Sequence, residues 1–186
     1  MKYAIAVHGT RGDVEPATAI ALELLRRGHE VRMAVPPNLV AFAESVGIPS
    51  PVLPYGTDSQ LQLEADGFRD WWKLRNPLTV VEKTRELMIG DWPQMGETLA
   101  AVATGADLIL TGTTYQEVAA NVAESRDIPM AALHYFPART NTKILPVRLP
   151  LAVVRPAWAV AEWALWRILK PAEDDQRRRL GLPAAR

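Results

Sequence analysis

Tyr3-Ala4-Ile5-Ala6-Val7-His8-Gly9-Thr10-Arg11-Gly12-Asp13-Val14-Glu15-Pro16 sets the architecture of the chain. Its five leading apolar residues form the pattern of a strand covered on both faces, as in a parallel sheet. From Pro16 to Arg27 the apolar positions Ile20, Leu24 and Leu25 share one helical face, and Gly28 supplies the stop. Val31 to Val35 reads as a second strand, closed by Pro36-Pro37. Asn38 caps a short helix ending before Gly47, and Pro51-Val52-Leu53 is a third strand. Strand–helix–strand units of this length imply right-handed crossovers and an α/β fold: a Rossmann-like, doubly wound parallel sheet flanked by helices.

The remainder extends the sheet and then leaves it. Thr57 to Asn76 is polar, holds Trp71-Trp72 and reads as loop with short helical pieces. Helices are predicted over 78–89 and 93–103, separated by the breaker Gly90-Asp91-Trp92-Pro93. Leu108-Ile109-Leu110 is a fourth strand, 114–126 a helix and 130–133 a fifth strand. Tyr135 to Pro150 is a long irregular loop of the kind that is often functional. Pro156 to Lys170 reads as a helix whose charged arc includes Trp163 and Trp166, with Trp158 at its edge. Those indoles are expected to cover a second domain or a hydrophobic acceptor, or to pack against the Trp71-Trp72 region. Glu173–Arg177, Asp174–Arg178 and Asp175–Arg179 are predicted as i,i+4 pairs on a solvated helix stopped by Gly181 and Pro183.

Composition narrows the function classes. The 186 residues carry 21 basic and 21 acidic side chains at a pI near 6.8, which argues against a nucleic-acid partner. There is no cysteine, so disulfide scaffolds and cysteine zinc sites are excluded. His8, His29 and His134 lie too far apart in sequence, without matching carboxylates, to suggest a metal site. No uncharged apolar run is long enough to span a bilayer. Arg11 and Asp13 come too soon after the start for a signal peptide, so a soluble, cytoplasmic domain is expected.

In an open parallel sheet, ligands gather outside the carboxyl ends of the strands. The residues there are His8 to Pro16 after the first strand, and Tyr55, Gly56 and Thr57 after the third. Gly112, Thr113, Thr114 and Tyr115 follow the fourth, and His134, Tyr135, Phe136, Arg139 and Asn141 the fifth. Asp13 has two readings. As an N-cap it stabilises a helix start by about 1 kcal/mol. As a general base it accepts a proton from a hydroxyl nucleophile. An N-cap bond occupies one oxygen and leaves the other free, so the two roles are compatible. Gly9 and Gly12 do not make the G-x-G-x-x-G spacing, and Asp13 and Glu15 put negative charge where a dinucleotide phosphate would sit.

Gly9 to Pro16, followed by Leu24-Leu25-Arg26-Arg27-Gly28-His29-Glu30-Val31-Arg32, resembles the N-terminal domain of GT-B fold glycosyltransferases. The likeness is closest to the branch acting on glycopeptide antibiotics, sterols and mycobacterial-type glycopeptidolipids. Ala34-Val35-Pro36-Pro37, Gly47-Ile48-Pro49 and Leu180-Gly181-Leu182-Pro183 fit the same pattern, which is strongest over residues 5–37. The resemblance implies two Rossmann-like domains facing a cleft, with inverting, metal-independent transfer and no cofactor. Residues 1–186 would be a single acceptor-binding domain. The donor, such as a UDP- or dTDP-hexose, would be bound mainly by a C-terminal domain that the chain lacks, leaving the isolated chain inactive.

Asp13 falls where related branches carry a histidine base, and the strand-end aspartate that orients such a histidine is replaced by Gly112. Thr10 and Gly12 match positions at the donor phosphates. His8, Arg11, Tyr55, Thr113, Tyr115, His134, Tyr135 and Phe136 become the acceptor candidates. The acceptor would be a bulky, partly hydrophobic glycopeptide, glycolipid or sterol-like molecule, with peripheral contact to the inner face of the membrane. A nucleotide-binding oxidoreductase module and a non-catalytic binding domain on the same scaffold are the alternatives.

Overall fold

A computed structural model of the chain describes residues 1–64, 82, 85, 88–135 and 150–185. Five parallel strands lie in the order β3-β2-β1-β4-β5: β1 Lys2–Ala6, β2 Glu30–Val35, β3 Leu53–Pro54, β4 Leu108–Thr111 and β5 Met130–Ala132. Ile5 sits opposite Met33 on one side and Leu110 on the other. Between the strands run α1 Arg11–Arg26, a 3-10 turn Pro37–Leu39, α2 Val40–Ser45, α3 Ser59–Glu64, α4 Trp92–Val102 and α5 Gln116–Arg126. A long helix, α6 Leu151–Arg179, follows the last strand. Glu82, Arg85, Met88 and Ile89 are helical, within the helix expected over 78–89. Trp71, Trp72, Phe136, Arg139 and Asn141 lie outside the described residues.

The strands alternate their side chains between two cores. Ile5, Val7, Val31, Met33, Val35 and Leu110 pack beneath α1 and α2 with Val14, Ala17 and Ala21. Ala4, Ala6, Ala34 and Ile109 face the other layer, where Trp92, Met95, Leu99, Val118, Val122 and Leu169 cover them. Small alanines on that face let the large side chains of α4 and α5 approach, each large apolar side chain contributing about 1.5–3 kcal/mol when fully buried.

Three local expectations are corrected. Helix α1 begins at Arg11, not Pro16, and its N-cap is Thr10 rather than Asp13. Asp13 occupies the third helical position and reaches back to the cap, which satisfies an N-terminal donor without needing Pro16 at the first turn. Second, α6 is one helix of 29 residues that continues through Pro156 and Pro171. Third, the pairing in its last turns differs from the expected set. Lys170 takes Asp174 at 3.0 Å and Arg177 takes Glu124 at 2.7 Å, so only Asp175–Arg179, at 2.7 Å, forms as predicted.

A buried polar network holds that end of α6 to the core. The Gln176 Oε1 accepts from Trp92 Nε1 (2.8 Å) and Asn121 Nδ2 (2.9 Å), while its Nε2 donates to the Val118 carbonyl (3.2 Å). Arg177 Nη1 donates to Asn121 Oδ1 at 2.8 Å and to Glu124, joining α4, α5 and α6 through one chain of bonds. Among the described residues no helix is long and apolar enough to cross a membrane.

Candidate active site

The strand order reverses between β1 and β4, and the turns leaving their carboxyl ends make the candidate site. Residues 8–13 leave β1 and residues 112–115 leave β4. Thr114 Oγ1 donates to the His8 carbonyl at 2.8 Å, tying the two turns together.

Asp13 is the central feature. Its Oδ2 accepts from the Thr10 amide at 2.9 Å and from the Thr10 hydroxyl at 3.3 Å. Its Oδ1 has no hydrogen-bond partner among the described residues. Gly9, at a φ of +141°, lies directly under this carboxylate. A phosphate has little place here, because the helix N-terminus already holds a carboxylate and its cap amide is taken.

His8 is buried, and its Nε2 lies 3.2 Å from the Thr57 carbonyl. A carbonyl only accepts, so Nε2 carries the proton in the neutral ring. Burial holds the imidazole below its usual pKa, opposed by the Thr57 contact and the Asp91 and Asp13 charges. Tyr115 stacks edge-on against His8 at 5.1 Å and Gly56 packs on the other side, where a Cβ would meet His8 Cδ2 at 2.7 Å. Tyr115 is itself buried, capping α5 in the left-handed region at a φ of 57°.

The remaining candidates divide by what covers them. Tyr135 is half-buried and packs on the β1 core. Burial, then the Asp13 charge, pushes its phenol up to about 12. Its buried hydroxyl has no partner among the described residues. Tyr55 lies in the core under α4, 1% exposed, and is not a cleft wall. Arg11 stays on the outside of α1, paired with Glu15 at 3.1 Å and 4.6 Å over the Phe42 ring. His134 is exposed, 3.4 Å from Gln116 Nε2, which also donates to the Gly112 carbonyl. Gly12 is exposed. At Gly112 a Cβ would approach Val7 Cγ1 to 3.1 Å, so a side chain there would need the Val7 methyl to give by a few tenths of an ångström.

Two contributors come from the start of α4: its N-cap Asp91, which reads in sequence as part of a breaker, and Gln94 in its first turn. Asp91 accepts from the Thr57 hydroxyl, and Gln94 Oε1 accepts from the Gly56 amide at 3.0 Å. They fix the loop that carries the His8 partners. Beside Thr113 and His134 a groove of about 450 Å³ opens between the head of α5 and α6, walled by Trp158, Glu162 and Trp166. Among the described residues no group of His, Asp or Glu is placed to hold a metal ion.

Residues 3–146 match the glycosyltransferase family 28 N-terminal domain. The chain belongs to that family. An uncharacterised glycosyltransferase of Mycobacterium tuberculosis is 48% identical over 187 residues, covering all of this chain and 45% of that protein. Glycosyltransferase GtfE of Amycolatopsis orientalis is 28% identical across 98% of this chain and 44% of its own length. Among solved structures, the Streptomyces glycosyltransferase SsfS6 aligns over all of this chain and 48% of its own, with a TM-score of 0.60 at 20% identity. The five-stranded sheet is thus that of a GT-B N-terminal domain, and the chain spans about half the length of the relatives it matches.

Proposed function

We propose that this chain is the acceptor-binding domain of an inverting, metal-independent glycosyltransferase in which Asp13 is the general base. The carrying observation is the carboxylate at the β1–β4 reversal, with Oδ2 held by Thr10 and Oδ1 left for a substrate proton. A nucleotide-sugar already bears a good leaving group, so catalysis is chiefly positioning. As the acceptor oxygen bonds to the anomeric carbon, the bond from that carbon to the nucleotide diphosphate breaks and the diphosphate leaves with the electron pair. Asp13 takes the acceptor proton, a step contributing about 10²–10⁴-fold. The same negative charge favours an oxocarbenium-like centre.

The donor, such as a UDP- or dTDP-hexose, is assigned chiefly to a second domain beyond this chain, so the isolated chain is expected to be inactive. Thr10 spends its amide and hydroxyl on Asp13, so the donor phosphates are assigned to the second domain. His8 and Tyr115 support the turn from beneath, while Thr113, His134 and Tyr135 line the acceptor side. A bulky, partly hydrophobic acceptor is supported by the tryptophan-walled groove and by the similarity to a vancomycin aglycone glucosyltransferase of Amycolatopsis orientalis, 26% identical over 78% of this chain. Exposed Leu151, Val153, Val160 and Trp163 on α6 support peripheral contact with a membrane surface.

Asp13→Asn in the full-length protein tests the base. The amide retains an oxygen for the Thr10 N–H, so the fold should keep its thermal midpoint while kcat falls about 10²–10⁴-fold. Near wild-type turnover would remove Asp13 from the mechanism.

A further inference from the structure

The groove beside Thr113 and His134 carries more chemistry than shape alone. Its described lining includes the carboxylates of Glu117 and Glu162 and the indoles of Trp158 and Trp166, with no lysine or arginine. Trp158 Nε1 donates to Glu162 Oε1 at 2.8 Å, which fixes that carboxylate against the ring. Along α6 the lining positions Trp158, Glu162, Trp166 and Leu169 recur at three- and four-residue steps and so form one stripe. Glu173 is the next position on that stripe.

Glu173 is the unexplained member. It is 8% exposed, and its Oε2 has no hydrogen-bond partner among the described residues. Burial first, and the nearby Glu117 charge second, raise its pKa against the lowering effect of a hydrogen bond from Trp166. Glu173 is thus a buried acid with one unsatisfied oxygen, one turn beyond the groove lining and near the charge of Glu117. Arg177 pairs with Glu124 and Asn121, and Lys170 with Asp174. Lys170 also shows what the indoles accept, since its ammonium lies 5.2 Å over the Trp166 ring.

We propose that this groove is an ammonium subsite, and that the acceptor carries a protonated amine beside the hydroxyl that receives the sugar. Carboxylates attract the charge, and aromatic faces bind it once it sheds water. The geometry links the subsite to the reaction. Thr113 and His134 line the groove, while their chain neighbours Thr114 and Tyr135 bond the His8 carbonyl and feel the Asp13 charge. An amine held there would sit beside the β4 and β5 turns that adjoin the β1 turn carrying Asp13. The inference rests on the acceptor reading above and adds to it the charge of the acceptor.

The test is a titration of the 186-residue chain with phenethylammonium and, separately, with the neutral 3-phenylpropan-1-ol, following the indole N–H signals by NMR. Trp158→Phe and Trp166→Phe assign the two signals. The ammonium should shift both saturably in the millimolar range, and the alcohol should bind at least roughly tenfold more weakly. Glu117→Gln with Glu162→Gln should cut ammonium affinity about tenfold or more while sparing the alcohol. Equal binding of the two probes, no shift at either indole, or undiminished binding to the double variant would each overturn the subsite. These readouts do not involve turnover. A failed titration therefore leaves the Asp13 assignment standing, and an active Asp13→Asn enzyme leaves the subsite standing.

Discussion

A Cβ built on Gly9 would lie 2.4 Å from Oδ2 of Asp13 and 2.7 Å from its Cγ. The candidate base rests on bare backbone, at a φ that residues with side chains rarely adopt. Gly9→Ala is expected to cost about 1–3 kcal/mol through backbone strain and to push the carboxylate off the Thr10 amide. Urea unfolding measures the first effect and turnover of the full-length protein the second. An alanine variant with wild-type stability would mean that the turn tolerates a side chain against Asp13.

His8 gives the fold an acid-sensitive component. Its folded pKa lies below the unfolded value of about 6.5, because burial disfavours the charged ring. The neutral ring's contribution is present above that value and is lost as pH falls through the folded pKa. The advantage of the wild-type chain over His8→Asn in thermal midpoint should therefore shrink as pH falls below about 6.5. A constant gap would contradict a buried neutral imidazole.

Gln176→Leu removes the acceptor of Trp92 and Asn121 and the donor to Val118 together. Each buried group left unpaired costs about 1–3 kcal/mol, so a loss of about 3 kcal/mol or more is expected in urea unfolding. A change under about 1 kcal/mol would show that the network is not what holds α6 to the core.

Glu173 has the opposite sign to His8. A carboxyl whose folded pKa is raised favours the fold most below its unfolded value of about 4.3, and that contribution is lost as pH rises through the folded pKa. Glu173→Gln should therefore melt above the wild type at neutral pH, with the difference fading in acid. A glutamine variant less stable at neutral pH would show that the charge is well solvated.

The sheet is legible in sequence because β1 and β2 are apolar runs and because Gly28 and Pro36-Pro37 punctuate the units between them. The start of α1 is not, since Pro16 mimics a first-turn proline while the cap is supplied by Thr10 and Asp13 six and three residues earlier. Position after a strand locates the edge of the site but not the direction of a side chain. Tyr55 and Tyr115 follow β3 and β4 as expected, yet both turn inward to be covered by α4 and His8. Local charge spacing fails at Glu173 and Asp174 because Glu124 and Lys170 offer Arg177 and Asp174 better partners. Gln176 has no periodic signature at all. Its partners Trp92 and Asn121 lie 84 and 55 residues away in sequence.

The long helix α6 also sets a mechanical scale. It is pinned at Gln176 and Arg177, and Trp158 stands 18 residues toward its other end, about 27 Å along the axis at 1.5 Å per residue. Pivoting there, a tilt of about 5° carries the indole through about 2.4 Å, most of a van der Waals contact. The width of the aromatic groove therefore responds to how Leu169, Gln176 and Arg177 seat this helix, and substitutions at the anchor nearly 30 Å away are levers on that width.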